Sequence, residues 1–125
     1  MRTKEEITVS LNVIRAVVDA DVIDCDINAV ENKLLRLTQL MGLSAETMAS
    51  AKKILGIKEL HVLDSMEEGK TPTEINKRLN ASCYEENAIL QYSDRLNSAI
   101  VHNCDALRSI ISLRKEEMKA GIGGT

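Results

Sequence analysis

The sequence predicts an all-α protein of five to six helices, with short N-terminal helices packed on one long C-terminal helix. Three observations carry that reading. Residues 82–119 contain neither Gly nor Pro, enough for one helix of about 55 Å at 1.5 Å per residue. Apolar residues make up 44% of the chain, yet Trp and Phe are absent and Tyr84 and Tyr92 are the only aromatics, so the core must be aliphatic. An aliphatic composition with one Pro favours helical packing over a β-sandwich. Helix-start signals also recur, with Thr3–Glu6, Asn28–Glu31, Thr71–Glu74 and Ser82–Glu85 each in capping-box spacing.

At 125 residues the chain is read as one helical domain over residues 1–120, followed by a disordered Gly-Ile-Gly-Gly-Thr tail over 121–125. No apolar run is long enough to span a membrane, and no signal segment opens the chain. The three cysteines, Cys25, Cys83 and Cys104, are odd in number and form no CxxC, which points to free thiols and a cytoplasmic protein.

The first helix is expected to start at Thr3, with Ile7, Leu11, Ile14 and Val18 as its apolar stripe. Asp19, Asp21, Asp24 and Asp26 follow. A calcium loop would need an oxygen ligand at its fifth position and Gly at its sixth, where this segment has Ile23 and Asp24. The aspartates are instead read as a linker that caps a second helix near Asp26 or Asn28. Ile27, Val30, Leu34, Leu37 and Met41 repeat there at 3-4 spacing, a short heptad seam. Gly42 is expected to end that helix, Ser44 to open a third that ends at Gly56, and Lys58–Glu68 to form a fourth stopped by Gly69. Thr71-Pro72-Thr73-Glu74 combines an N-cap, Pro at N1 and Glu at N3 for a brief fifth helix carrying Ile75 and Leu79. Ser82 is expected to cap the long helix, about 83–119.

On that helix Ile89, Ile100 and Ile111 lie eleven residues apart, as do Leu96, Leu107 and Met118. An 11-residue repeat gives a straight apolar line, suited to a central bundle helix or to a two-fold contact with a second copy. Ser93, Asn103 and Arg114 interrupt it. Ser93 is read as bonding to its own helix, Asn103 as setting register across a helix pair, and Arg114 as reaching outward near the helix end. Tyr84, Tyr92 and Arg95 add residue types that anchor interfaces. The interface expected from the sequence is therefore Tyr84, Tyr92, Arg95, Leu96, Ile100, Asn103, Leu107, Ile111 and Arg114, in a dimer or higher homo-oligomer.

Catalytic and metal-binding patterns are missing. His61 and His102 sit on different helices, and His102 and Cys104 fall on different faces of one. There is no HExxH, P-loop, GxGxxG or nucleophile elbow. No catalytic residue, cofactor or metal is expected, and the chain is read as a non-enzyme.

Val62, Leu63, Gly69, Glu74, Ile75, Leu79 and Ser82 together resemble the first two helices of a LuxR/GerE-type helix-turn-helix. The resemblance covers about 24 residues and implies a DNA-binding regulator using residues 58–100, with Ser82 opening the recognition helix. Lys77, Arg78 and Arg95 would support phosphate contacts in that case. Where the family has a Thr-Val pair and basic or amide side chains, this chain has Cys83, Tyr84, Glu85, Glu86 and Asn87, and carboxylates there would repel phosphates. A net charge of −3 also disfavours nucleic acid. The leading expectation is a small helical adaptor, accessory or inhibitor protein of a bacterium or phage, bound to itself and to a partner protein.

Overall fold

The structure, a computed structural model, describes residues 2–23 and 26–123, with side chains through Gly121. Asp24 of the aspartate linker, the thiol of Cys25 and the last two residues of the expected tail lie outside the described residues. Four helices and no strands are present among the described residues: α1 (Lys4–Asp19), α2 (Ile27–Asp64), α3 (Pro72–Ser82) and α4 (Tyr84–Gly123).

Helix α1 begins as its capping box predicts. Thr3 Oγ1 accepts the Glu6 backbone N–H at 3.2 Å. Ile7, Leu11, Ile14 and Val17 are buried and Val18 is half-buried, so the inward stripe is the expected one turned slightly toward Val17. Asp26 caps α2 by accepting the Ala29 N–H at 3.1 Å.

Where the sequence suggested three helices, α2 is one helix of 38 residues. Gly42 and Gly56 do not end it. A glycine stop works through a left-handed residue, and the described chain has positive φ only at Gly69 (φ 86°). With helical φ, a mid-helix Gly costs about 1 kcal/mol, which packing along a long seam readily outweighs. Ser44, expected as a cap, is instead buried mid-helix and donates to Asn97 Oδ1 of α4 at 3.1 Å. The helix count among the described residues is therefore four rather than five to six.

Helix α3 follows its signal closely. Thr71 Oγ1 accepts the Glu74 N–H at 3.2 Å, and Pro72 is the first helical residue. Ser82 does not cap α4; it is the last residue of α3. Cys83 alone joins the two helices. Its N–H donates to Leu79 O at 2.8 Å, and its carbonyl accepts the Asn87 N–H at 2.9 Å, so the backbone hydrogen bonding is nearly unbroken through the junction. Helix α4 then runs through Gly123, so residues 121–123 belong to the helix rather than to a tail.

Side-chain contacts fix the topology. Ser44 on Asn97 sets α2 against α4. Arg2 reaches Thr47 Oγ1 at 3.1 Å, and Lys33 Nζ donates to the carbonyls of Val18 and Ala20 at 3.0 and 2.7 Å, so α1 runs antiparallel to α2. Lys4 meets Glu85 and Glu86 while Arg15 meets Tyr92, so α1 runs parallel to α4. Helix α1 thus fills the groove of an α2–α4 hairpin, and α3 closes one end of that hairpin.

The seam follows a seven-residue period. Ile7 and Ile14 on α1, Val30, Leu37, Ser44 and Ala51 on α2, and Glu86, Ser93, Ile100 and Leu107 on α4 are all buried. This is the spacing of supercoiled helices, and on α4 it runs alongside the expected 11-residue line, of which Leu96, Ile100 and Leu107 are buried and Ile89 and Ile111 pack against the core. That line left out Glu86, which is buried, and Cys104, which belongs to the core. It also included Met118, which is 63% exposed.

Candidate interaction surface

The nine α4 residues expected at an interface divide into three sets. Leu96, Ile100 and Leu107 belong to the core, at 7%, 1% and 7% exposure, and half-buried Ile111 packs against it. A second chain reaches Leu96, Ile100 or Leu107 only by displacing α1 or α2. Tyr92, Asn103 and Arg114 are half-buried and engaged within the chain. The Tyr92 hydroxyl accepts from Arg15 Nη1 at 3.4 Å, and that guanidinium lies 6.0 Å from the ring centroid. Asn103 Nδ2 donates to Ala99 O of its own helix at 2.8 Å rather than across a helix pair. Arg114 pairs with Glu117 at 3.0 Å. Ser93 bonds back to Ile89 O at 2.9 Å, as expected. Only Tyr84 and Arg95 remain exposed.

Sequence reasoning missed a polar seam inside the bundle. Glu86 is 4% exposed, and its carboxylate lies 3.4 Å from Lys4 Nζ, which also pairs with Glu85 at 3.1 Å. Buried Thr47 donates to Leu43 O at 2.6 Å while accepting from Arg2. No buried side-chain polar atom among the described residues lacks a partner. The signal was present in the heptad positions of Ser44, Glu86 and Ser93, but polar identity hid it.

The end of the bundle formed by the last turns of α2, by α3 and by the start of α4 is different. No side chain of α3 is buried. Ile57, Leu60 and Leu63 of α2 are exposed at 36%, 63% and 41%, and Tyr84 is exposed at 76%. Ile57, Leu60, His61 and Asp64 line a depression of 250 Å³. A cleft of 380 Å³ beside it is lined by Met66, Lys70, Glu74, Lys77 and Arg78. Lys77 and Arg78 are thus joined by Lys70. Arg95 lies apart, about 18 Å further along α4 from Cys83.

No family model matches the chain, and no curated protein or solved structure is significantly similar to it.

The helix-turn-helix resemblance fares unevenly. Val62 is buried, Ile75 and Leu79 are half-buried, and Leu63 is largely exposed. A helix-turn-helix joins its two helices by a turn of three to four residues. Here Cys83 is the whole connection between α3 and α4.

Burial pushes the Cys83 thiol above its ordinary value of 9.0, and the carboxylates of Glu59 and Glu86 push in the same direction against Lys58. A buried, protonated thiol is a poor nucleophile. His61 and His102 are both exposed, and Cys104 points inward from the same helix as His102. Among the described residues, no three His, Cys, Asp or Glu side chains gather as a metal site.

Proposed function

We propose that this chain is a small, non-catalytic helical interaction protein that holds a partner protein against the α2–α3–α4 end of its bundle. One observation carries the reading: the end of the bundle that holds α3, the one helix with no buried side chain, exposes Ile57, Leu60 and Leu63 from the last turns of α2 and Tyr84 from the start of α4, and Leu63 lines a pocket with Ile75 of α3. Exposed apolar surface rimmed by charge marks protein docking sites, and a protruding Tyr is a frequent anchor. Lys70, Lys77 and Arg78 form the rim and favour an acidic neighbour.

The test places a photo-reactive residue at Tyr84, at Leu63 and, as a control, at Ala16 on the outer face of α1. A protein captured at the first two positions and not at the third supports the reading, provided that Tyr84→Ala then weakens its binding about tenfold or more. Equal capture at all three positions counts against it. Binding of duplex DNA at low salt that Lys77→Ala and Arg78→Ala weaken would replace it with the DNA-binding regulator.

A further inference from the structure

We infer that the outer face of α2 is the contact for a second copy of this chain, antiparallel and centred on Gly42. The contact shares only Leu60 with the partner-binding end proposed above and rests on Glu31, Leu35, Gly42, Ala49 and Lys53. At 100° per residue, Glu31, Leu35, Gly42, Ala49, Lys53 and Leu60 fall within a narrow stripe turned away from the buried positions Val30, Leu37 and Ser44. All six are exposed, Leu35 at 57% and Leu60 at 63%. A side chain built at Gly42 would meet no atom within 4 Å, so the face is open at its middle.

The occupant follows from the symmetry of the stripe about Gly42. Glu31 and Lys53 stand eleven positions to either side of it, and Leu35 and Ala49 stand seven to either side. A two-fold contact pairs residue i with j and j with i. With antiparallel helices and the axis at Gly42, Glu31 meets the partner subunit's Lys53 at both ends. Leu35 lies on the partner's Ala49, a large side chain over a small one. Glycine on the axis lets the two backbones approach to the short end of helix packing distances, about 8 Å. Neither Glu31 nor Lys53 makes an ion pair within the chain among the described residues. Opposite charges at mirrored positions suit a copy of this helix better than an unrelated partner. The contact lies on α2 and leaves the α4 core untouched.

The test uses the full chain with Cys25 replaced by Ser. Under mild oxidation Gly42→Cys should give a dimer cross-linked through the two introduced thiols, while Ala16→Cys on the outer face of α1 should not. Without cross-linking, sedimentation equilibrium should find twice the chain mass. Glu31→Lys and Lys53→Glu should each weaken the dimer about tenfold, and the double exchange should restore it, because opposed surface charges contribute modestly and like charges subtract. These exchanges sit on an exposed face and leave the fold intact, which circular dichroism verifies. A monomer at every concentration overturns the inference, as does a dimer indifferent to both single exchanges or one that Gly42→Cys fails to cross-link.

Discussion

Replacing Gly56 with Ala tests whether α2 is continuous. If Gly56 ended a helix in a left-handed conformation, a β-carbon would be strained there, and the substitution would destabilise the protein. In the structure Gly56 is helical with ordinary φ, and an added β-carbon meets nothing within 4 Å. Ala then has the better helix propensity and the smaller loss of backbone freedom, so Gly56→Ala should stabilise the fold by about 0.5–1 kcal/mol. For a chain of this size that raises the thermal midpoint by about 2–4 °C. Gly69 is the matched contrast: its φ of 86° disfavours any side chain, so Gly69→Ala should destabilise by about 1 kcal/mol despite equally open space. Urea unfolding followed by circular dichroism, at low protein concentration to avoid association, measures both. A destabilised Gly56→Ala would refute a single α2 and restore a helix break at that position.

Three further outcomes follow from the packing. Ile100→Ala should cost about 3–4 kcal/mol in urea unfolding, whereas Leu113→Ala, at a site 55% exposed, should cost less than about 1 kcal/mol; Ile100→Asp should unfold the chain rather than merely dissociate it. The hydrogen bond to Glu85, with the attraction of Glu86, raises the Lys4 amine above 10.5, so the stabilisation from this cluster is present below 10.5 and is lost as pH rises through the raised value. That alkaline loss of stability should shrink in Lys4→Met, as unfolding midpoints across the same range would reveal. With Cys25 replaced by Ser, the native protein should react with a thiol reagent only as fast as it opens, because Cys83 and Cys104 are 1% and 0% exposed; rapid native labelling would contradict their burial.

Local chemistry was the most legible part of the sequence. Thr3 and Thr71 cap the helices they were expected to cap, and of the alternatives Asp26 and Asn28 it is Asp26 that caps α2; each cap needs only a side-chain oxygen and a backbone N–H three residues on. Ser82 failed because its neighbour Cys83 continues the backbone hydrogen bonds of α3. Gly42 and Gly56 were misleading because a glycine marks either a stop or a tolerated helical position, and only tertiary packing decides between them. The apolar stripe on α4 was ambiguous for a related reason. An apolar stripe says that a face is covered without saying by what, and at Leu96, Ile100 and Leu107 the cover is α1 and α2 of the same chain. Glu86 was illegible because its partner, Lys4, lies 82 positions earlier in the sequence. Of the exposed end, Tyr84, Lys77 and Arg78 stood out in the sequence; Leu60 did not, because an apolar residue at helical spacing does not show whether its face is covered.

The position of α1 also shapes how the protein comes into being. Its inward side chains, Ile7, Leu11 and Ile14, share a core with Leu96, Ile100 and Cys104, which leave the ribosome some ninety residues later. Until then α1 has only α2 to lie against, one wall of the groove it will occupy. Its polar contacts with α2 join residues 13 to 45 positions apart and those with α4 join residues 77 to 82 apart, so the α1–α2 pairing closes with the smaller loop entropy and the contact with α4 comes later. In this order the first helix to be synthesised is the last to be fully enclosed, and a nascent chain halted before Leu96 carries an open apolar groove.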